Sequence, residues 1–201
     1  MAANNQNASI GLHLIALNEG GNILSVLGQV VDICAEMLVL VDDRSTDRTV
    51  DILRAWNRGK LRFWVEPFHW DFSEFRNRLL ERARTEWILQ LDADERLSYP
   101  LYCWLREIDL RSVPYSSCDG VEMRRENLID GQPIGHKTYE WHTRLFRSHL
   151  RFVGKIHEYV PCRTTIRAPA ECFILHHKTG ERQGEENRRY AEFARRVTNA
   201  C

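Results

Sequence analysis

The sequence predicts an α/β protein with a mostly parallel sheet flanked by helices, followed by a mixed α+β half. Short apolar runs alternate with segments of helical periodicity over the first 95 residues, which is typical of a parallel sheet wound with right-handed crossovers. Each run is bounded by polar, charged or glycine residues and has the length of a strand. The predicted strands of this half cover residues 11–17, 37–41, 62–66 and 87–91.

The first strand, at residues 11–17, ends at Asn18-Glu19-Gly20-Gly21, where two glycines permit a tight turn. The second strand, at residues 37–41, is wholly apolar, as expected of a central strand covered on both faces, and it stops at Asp42-Asp43. Between the two strands, a helix is indicated by apolar residues at helical spacing, namely Ile23, Val26, Leu27, Val30, Val31 and Cys34.

Residues 44–47 include Ser, Thr and Asp, which favour the N-cap of a second helix. Residues 62–66 read as a third, weaker strand that Pro67 ends. Asp71 or Ser73 can cap the helix that follows. The apolar residues of that helix are Phe72, Phe75, Leu79, Leu80 and Ala83, and the strand at residues 87–91 comes next.

The pattern changes after Glu95. Residues 100–108 predict a helix with its proline in the first turn, and Asp130-Gly131 is typical of a hairpin turn. Further strands are expected around residues 121–123, at 141–146 and at 152–160. Residues 181–201 are charged with apolar residues at helical spacing, which predicts a C-terminal helix or the start of further helical repeats.

Length and charge limit the class of protein. The chain has 201 residues, which favours one α/β domain over two. Lys plus Arg and Asp plus Glu both number 28, so nothing indicates binding to nucleic acid or to an anionic membrane. No apolar run approaches the roughly 18 residues of a membrane helix, so we expect no transmembrane segment.

The N-terminal segment and the cysteines are indicators of the cellular location. Residues 1–9 are polar and lack the basic start and apolar run of a signal peptide, so they predict a disordered tail. The six cysteines are scattered without a C-x-x-C pair or zinc-finger spacing, which indicates reduced thiols. We therefore predict a cytoplasmic protein.

Acidic and polar residues follow the predicted strands at the point where each strand ends. Asp92 and Asp94 flank Ala93 directly after the strand at residues 87–91. Two neighbouring carboxylates raise each other's pKa unless a positive charge lies between them, and a divalent metal ion is the simplest candidate. Ligands of parallel sheets bind at the carboxyl ends of the strands, where Asn18 and the Asp42-Asp43 pair also lie.

Five motifs in order resemble one family. They occupy residues 41–49, 72–77, 87–95, 144–147 and 154–158. Together they resemble family 2 glycosyltransferases of the GT-A fold, in particular the bacterial lipopolysaccharide core β-glycosyltransferase-like subgroup with a D-T-G-S-T-D motif. The resemblance extends from Ile10 to about His177. This sequence departs from the pattern at Arg44, where related sequences have glycine.

The resemblance implies a metal ion, Mn²⁺ or Mg²⁺, on the diphosphate of the donor. Asp94 is the expected direct ligand in the D-x-D element, with Asp92 as a second carboxylate and His176 as a further ligand. Asp92 and Ala93 would also lie against the donor, Asp92 next to its sugar or ribose hydroxyls. Oxygen ligands from one or two carboxylates suit both ions, and a neutral imidazole suits Mn²⁺ better.

The resemblance also implies the remaining site residues. The nucleoside-binding rim would comprise Ala16, Asn18, Glu19 and either Asp42 or Asp43, because a carboxylate there can accept hydrogen bonds from a uracil imide or a ribose hydroxyl. Arg76 would contact a phosphate or the sugar. Glu158 is the expected general base, and His157 is the alternative.

The function implied by the resemblance is metal-dependent, inverting transfer of a sugar from a nucleotide-sugar donor, expected to be a UDP-sugar, to an acceptor hydroxyl. The acceptor can be a saccharide, a lipid-linked molecule or a peptide, and the oligomeric state is left open. Residues 10–95 would form the nucleotide-sugar half of the catalytic domain, and residues 96–180 the acceptor-side half. The alternatives are a sugar nucleotidyltransferase and a nucleotide- or sugar-binding module without turnover.

Overall fold

The computed structural model describes residues 9–133, 139–178 and 184, and these residues form a ten-stranded sheet with four α-helices. The strands are β1 (Ile10–Ala16), β2 (Glu36–Asp42), β3 (Leu61–Glu66), β4 (Trp87–Gln90), β5 (Glu95–Leu97), β6 (Gly120–Ile129), β7 (Gln132–Pro133), β8 (Tyr139–Arg147), β9 (Thr165–Arg167) and β10 (Phe173–Lys178). The helices are α1 (Ile23–Val30), α2 (Thr49–Ala55), α3 (Phe72–Leu80) and α4 (Tyr99–Glu107).

The first half of the sheet is parallel, in the order β3-β2-β1-β4. Every residue of β2 is buried, including Glu36 and Asp42 at its ends, which agrees with the prediction that the apolar run at residues 37–41 is covered on both faces. Because the strands run in one direction, their carboxyl ends meet at one edge of the sheet. The predicted α/β architecture with a mostly parallel sheet in this half is confirmed.

Helices cover both faces of this half. On one face, α1 buries Ile23, Val26, Leu27 and Val30 against the largest apolar cluster, so its helical stripe faces the sheet. On the other face, α3 packs Phe75 and Leu79 against Leu38 and Leu40 of β2. Asp71 caps α3 by accepting a hydrogen bond from the Glu74 amide, as one of the two predicted caps.

The second half continues the same sheet through antiparallel pairs. Strand β4 pairs antiparallel with β8, and β8 pairs antiparallel with β6. Strand β10 pairs parallel with β6 and antiparallel with β5. The turn between β6 and β7 has positive φ at Asp130 (50°) and Gly131 (78°), as in the predicted two-residue hairpin turn.

Two local predictions are wrong. Residues 152–160 do not form a strand of the sheet, because positive φ at Gly154 (94°) and His157 (56°) folds the segment into a loop closed by the Val153–Tyr159 bridge. None of residues 44–47 is the N-cap of α2, because Arg48 occupies that position without a side-chain hydrogen bond. Asp47 instead accepts hydrogen bonds from the amides of Thr49 and Gly20.

Some predictions lie outside the described residues, namely most of the tail over residues 1–9 and the C-terminal helix over residues 181–201. The five cysteines in the described part of the chain are free thiols. No helix in the described ranges is long and apolar enough to cross a bilayer.

His13 is an unusual member of the core, because it lies in the middle of β1 and is 3% exposed. Neither of its ring nitrogens has a hydrogen-bond partner among the described residues. Burial, together with the smaller effect of the charges of Arg76 and Arg62, lowers the pKa of His13 to about 3. The folded protein therefore keeps this imidazole neutral at pH values where a histidine of the unfolded chain is protonated.

We expect this burial to make the free energy of unfolding decrease as the pH falls below 6.5. The unfolded chain takes up a proton near pH 6.5, whereas folded His13 takes one up only near pH 3. Relative to the His13→Leu variant, the wild type should therefore lose about 2 kcal/mol of unfolding free energy between pH 7 and pH 5. Urea denaturation at both pH values measures this difference. His149→Leu, which removes an exposed histidine, is the matched control, and parallel pH profiles of the wild type and His13→Leu would contradict the prediction.

Candidate active site

The candidate site lies at the edge where the parallel strands end. Strand β2 ends at Asp42, β1 is followed by Asn18, and β4 is followed by Asp92. Strand β1 lies between β2 and β4, so these ends are neighbours along one edge. The segment at residues 152–160 packs on α3, and Arg76 of this helix contacts both the segment and Asp92 at the same edge. The prediction that the polar strand ends share one edge therefore agrees with the topology.

Arg76 is the central charge of the site and is 6% exposed. Its Nη2 donates to Asp92 Oδ1 at 2.9 Å, and its Nε donates to Glu158 Oε1 at 2.7 Å. Burial alone would lower the pKa of Arg76, but the charges of Asp92 and Glu158 outweigh it and raise that pKa. One guanidinium thus joins the D-x-D element to the predicted general base.

Arg144 is a second buried arginine on the other side of Asp92. Its Nη2 lies 3.6 Å from Asp92 Oδ2 and also donates to Oε1 of Glu95, which has no solvent exposure. Burial would raise the pKa of Asp92, but the charges of Arg76 and Arg144 outweigh it and hold that pKa well below its usual value. Burial raises the pKa of Glu95, although the charge of Arg144 opposes this.

Asp94 points to a different partner from Asp92. His176 Nε2 lies 3.4 Å from Asp94 Oδ2, and His176 Nδ1 lies 2.9 Å from Asn127 Oδ1. When Nδ1 donates to the Asn127 oxygen, Nε2 keeps its lone pair on the side of Asp94. A hydrogen bond of this kind fixes the tautomer of many metal-binding histidines.

This arrangement fits a divalent ion that takes part of its ligands from a substrate. Within the described ranges, no three His, Cys, Asp or Glu side chains form a group that could hold an ion unaided. Asp94 Oδ2 and His176 Nε2, however, offer a carboxylate oxygen and an imidazole nitrogen 3.4 Å apart. Neighbouring ligands of an octahedral ion at about 2.1 Å lie about 3 Å apart, so both atoms can bind one ion with phosphate oxygens completing its shell.

The loop that carries Glu158 is fixed to α3 by backbone contacts. The side-chain Nδ2 of Asn77 donates to the Phe152 carbonyl at 3.0 Å, and the backbone amide of Phe152 donates to Asn77 Oδ1 at 2.8 Å. The Phe72 amide also donates to the Lys155 carbonyl. Glu158 is therefore held in place at both its backbone and its carboxylate, and its side chain is 15% exposed. His157 is exposed and has φ 56°.

The predicted nucleoside rim is built from two loops that bind each other. Asn18 Oδ1 accepts from the amides of Thr46 and Asp47, and the Glu19 amide donates to Thr49 Oγ1 at 2.7 Å. Asn18 has φ 57°, a value that asparagine adopts more readily than most residues. Both residues thus shape the rim. Of the other predicted members, Ala16, Ala93 and Asp42 are buried and Asp43 is exposed.

Asp42 is paired with Arg44, the residue that departs from the family pattern. Arg44 Nε lies 2.9 Å from Asp42 Oδ1, and Nη2 contacts Oδ2. The Arg44 amide also donates to Oδ1 at 3.0 Å. Asp42 is therefore fully engaged by its own loop in this structure.

Three contributors were not predicted from the sequence, namely Glu95, Asn127 and Arg144. Each is a polar residue inside a strand, and each owes its position to strand pairing. Asn127 and Glu95 are both register partners of His176, across β6 and β5. Glu95 and Arg144 lie in the motifs at residues 87–95 and 144–147, which were the available signal, but motifs do not indicate which strands pair.

Comparison with known families gives a match over one part of the chain. Residues 13–103 match the model of Glycosyl transferase family 2. The matched segment includes the predicted nucleoside rim, Arg76 and the D-x-D element, and it ends before β6, β8 and β10.

Curated relatives cover more of the chain. The SPbeta prophage-derived glycosyltransferase SunS of Bacillus subtilis (strain 168) is 33% identical over 147 residues, which is 72% of this chain and 33% of that protein. A TPR repeat-containing protein of Synechococcus elongatus is 31% identical over 157 residues, or 76% of this chain and 36% of that protein. The chain thus spans about a third of the length of the curated relatives it matches.

Solved structures show the same fold. S. aureus TarS 1-349 in complex with UDP-GlcNAc has a TM-score of 0.61 at 15% identity, covering 85% of this chain and 58% of that chain. The complex of TarS 1-349 with UDP has a TM-score of 0.62 at 16% identity, covering 88% of this chain and 62% of that chain. The described residues share the GT-A fold with these structures. Within this fold, residues 13–103 are similar to domains of Glycosyl transferase family 2.

We expect Arg76→Met to destabilise the protein strongly. The variant leaves Asp92 and Glu158 without the buried cation between them, which should lower the free energy of unfolding by about 3 kcal/mol. Arg54→Met is the matched control, because Arg54 forms only an exposed ion pair worth at most about 0.5 kcal/mol. Urea denaturation at pH 7 measures both variants. Equal losses of unfolding free energy in the two variants would show that the contacts of Arg76 with Asp92 and Glu158 do not stabilise the protein.

Proposed function

We propose that this domain is a metal-dependent, inverting glycosyltransferase that moves a sugar from a UDP-sugar to an acceptor hydroxyl. The observation that carries the proposal is that Arg76 binds both Glu158 and Asp92, close to the Asp94 and His176 pair, at the edge where the parallel strands end. The family match supports the reaction class, and the fold shared with TarS bound to UDP and UDP-GlcNAc supports the donor.

In this proposal, Asp94 and His176 bind the metal ion, and Asn127 orients His176. Mn²⁺ or Mg²⁺ bound there would offset the negative charge that develops on the departing diphosphate. Asp92 is held by two arginines, so it remains ionised and faces the donor as a fixed hydrogen-bond acceptor. Ala93, between the two carboxylates, allows close approach of the donor.

Glu158 is the proposed general base. Its Oε1 accepts from Arg76, whereas its Oε2 makes no hydrogen bond with any residue in the described ranges. Oε2 can therefore take the proton of the acceptor hydroxyl. The hydroxyl oxygen of the acceptor attacks the anomeric carbon at the same time, from the side opposite the leaving diphosphate. His157, which is exposed in the same loop, is the alternative base.

The rim between β1 and β2 supports this reaction over nucleotidyl transfer. A nucleotidyltransferase would be expected to bind triphosphate with backbone amides of a glycine-rich loop after the first strand. Here the amide of Glu19 binds Thr49 Oγ1 and the amide of Gly20 binds Asp47 Oδ2. A binding module without turnover would not need Glu158 to be held so firmly.

The acceptor is proposed only as a class of hydroxyl, on a saccharide, a lipid-linked molecule or a peptide. The acceptor side would be formed by the second half of the sheet, which follows the D-x-D element. The lipopolysaccharide-core subgroup and the cytoplasmic location remain predictions from the sequence.

The first test is a panel of nucleotide sugars. We expect the wild-type protein to bind UDP with Mn²⁺ and to release UDP slowly from at least one UDP-sugar by transfer to water. Isothermal titration calorimetry and UDP detection measure the two effects. Failure of every nucleotide sugar to bind would refute the proposal, and release of pyrophosphate from a nucleoside triphosphate and a sugar phosphate would favour a nucleotidyltransferase.

The second test separates metal binding from proton transfer. Asp94→Asn should abolish the increase in UDP affinity that Mn²⁺ produces, because it removes a charged ligand. Glu158→Gln should leave UDP binding intact but lower the transfer rate about 100-fold or more, because glutamine cannot take up the proton. Asp51→Asn, at an exposed carboxylate on α2, is the control for both. Normal turnover by Glu158→Gln would instead assign the base to His157.

A further inference from the structure

Arg44 carries an unused hydrogen-bonding edge at the rim of the site. Its Nε and Nη2 bind the carboxylate of Asp42, at 2.9 Å for Nε and Oδ1. Its Nη1, on the other side of the planar guanidinium, makes no hydrogen bond with any residue in the described ranges. The Arg44 side chain is 44% exposed while that of Asp42 is 6% exposed. The guanidinium therefore presents a donor to solvent directly above a buried carboxylate.

Aromatic rings hold this guanidinium in place. The Arg44 Cζ lies 5.0 Å from the centroid of the Trp70 ring and 5.4 Å from that of Phe68. These rings are 6.0 Å apart, and Phe68 also packs on Phe72 and Phe75 at the start of α3. An arginine fixed by a carboxylate and by aromatic rings loses little conformational freedom when it binds a ligand. The group is thus preorganised.

The position of Arg44 suits one end of a nucleotide. Arg44 follows β2, while the Asp94 and His176 pair follows β4, and β1 separates these two strands. Two strand spacings amount to about 10 Å. A nucleoside diphosphate whose diphosphate lies at Asp94 can therefore place its base near Arg44.

We propose that Arg44 determines nucleobase specificity in the donor site. Nη1 of Arg44 donates to a carbonyl oxygen of the base, while Asp42 fixes the guanidinium from its other side. Uracil has carbonyl oxygens that can accept this hydrogen bond, whereas adenine has none. The proposal rests on the proposed function, because it requires a nucleotide at this edge of the sheet.

The experiment compares nucleotides that differ only in the base. Binding of UDP and ADP, each with Mn²⁺, is measured by isothermal titration calorimetry for wild type, Arg44→Gln and Arg44→Lys. A hydrogen bond to a charged donor corresponds to about tenfold or more in affinity. We expect Arg44→Gln to weaken UDP binding by about this factor and to leave ADP binding unchanged. Arg44→Lys should also lose selectivity, because a lysine cannot bind Asp42 and the base with one planar group.

Other outcomes would overturn the assignment. Equal weakening of UDP and ADP would mean that Arg44 contacts phosphate, and equal strengthening would mean that it blocks the site. Unchanged affinities for UDP and ADP would mean that Arg44 contacts neither the base nor the phosphate. Arg48→Gln, which removes an exposed arginine from the same loop, controls for the loss of charge. If the wild type binds no nucleotide at all, the proposed function itself fails, whereas nucleotide binding with unchanged selectivity overturns only the role of Arg44.

Discussion

The buried charge of Arg76 is the constraint on which the arrangement of the candidate site depends. A guanidinium cannot lie in a protein interior without negatively charged partners, because the cost of removing it from water exceeds the gain of ordinary packing. Arg76 meets this requirement through Asp92 on one side and Glu158 on the other. These carboxylates come from the end of β4 and from a loop more than sixty residues later. The need to neutralise one helix residue therefore brings the end of β4 and the loop at residues 152–160 together.

The same constraint gives the two D-x-D carboxylates different environments. Asp92 lies between two arginines, so protein cations already balance its charge. Asp94, two residues later, lies beside the imidazole of His176 instead. Two aspartates that look equivalent in sequence thus acquire distinct properties, since one is a fixed anion and the other faces a ligand that can share a metal ion. Alternation of side chains past the end of a strand, together with the pairing of β10 with β5 and β6, produces this difference.

Much of the parallel half was predictable from sequence, because its signals are local. The apolar run of β2, the helical stripe of α1 and the Asp71 cap each depend on residues close together in the chain, and the structure contains all three. The sequence also placed Asn18, Asp42 and Asp92 at strand ends, since parallel strands share an edge. The functional roles of these residues remain predictions.

The contributions of Glu95, Asn127 and Arg144 could not be predicted, because they depend on pairing between distant strands. The loop at residues 152–160 was mistaken for a strand because it is short and rich in aromatic and β-branched residues. Its positive φ values at Gly154 and His157 leave little trace in composition. The same holds for the cations beside Asp92, which no sequence spacing reveals.

The antiparallel pairing of β4 with β8 joins the two halves of the chain in one backbone ladder. Backbone hydrogen bonds of a central sheet open only at a free energy close to that of global unfolding. A hinge between the halves would require this ladder to break, so large rotations of one half against the other are too rare to serve turnover. Any opening and closing during the proposed reaction must therefore come from segments outside the ladder. The time needed to rearrange such a segment, rather than a domain motion, would then set the upper limit on the rate at which product leaves.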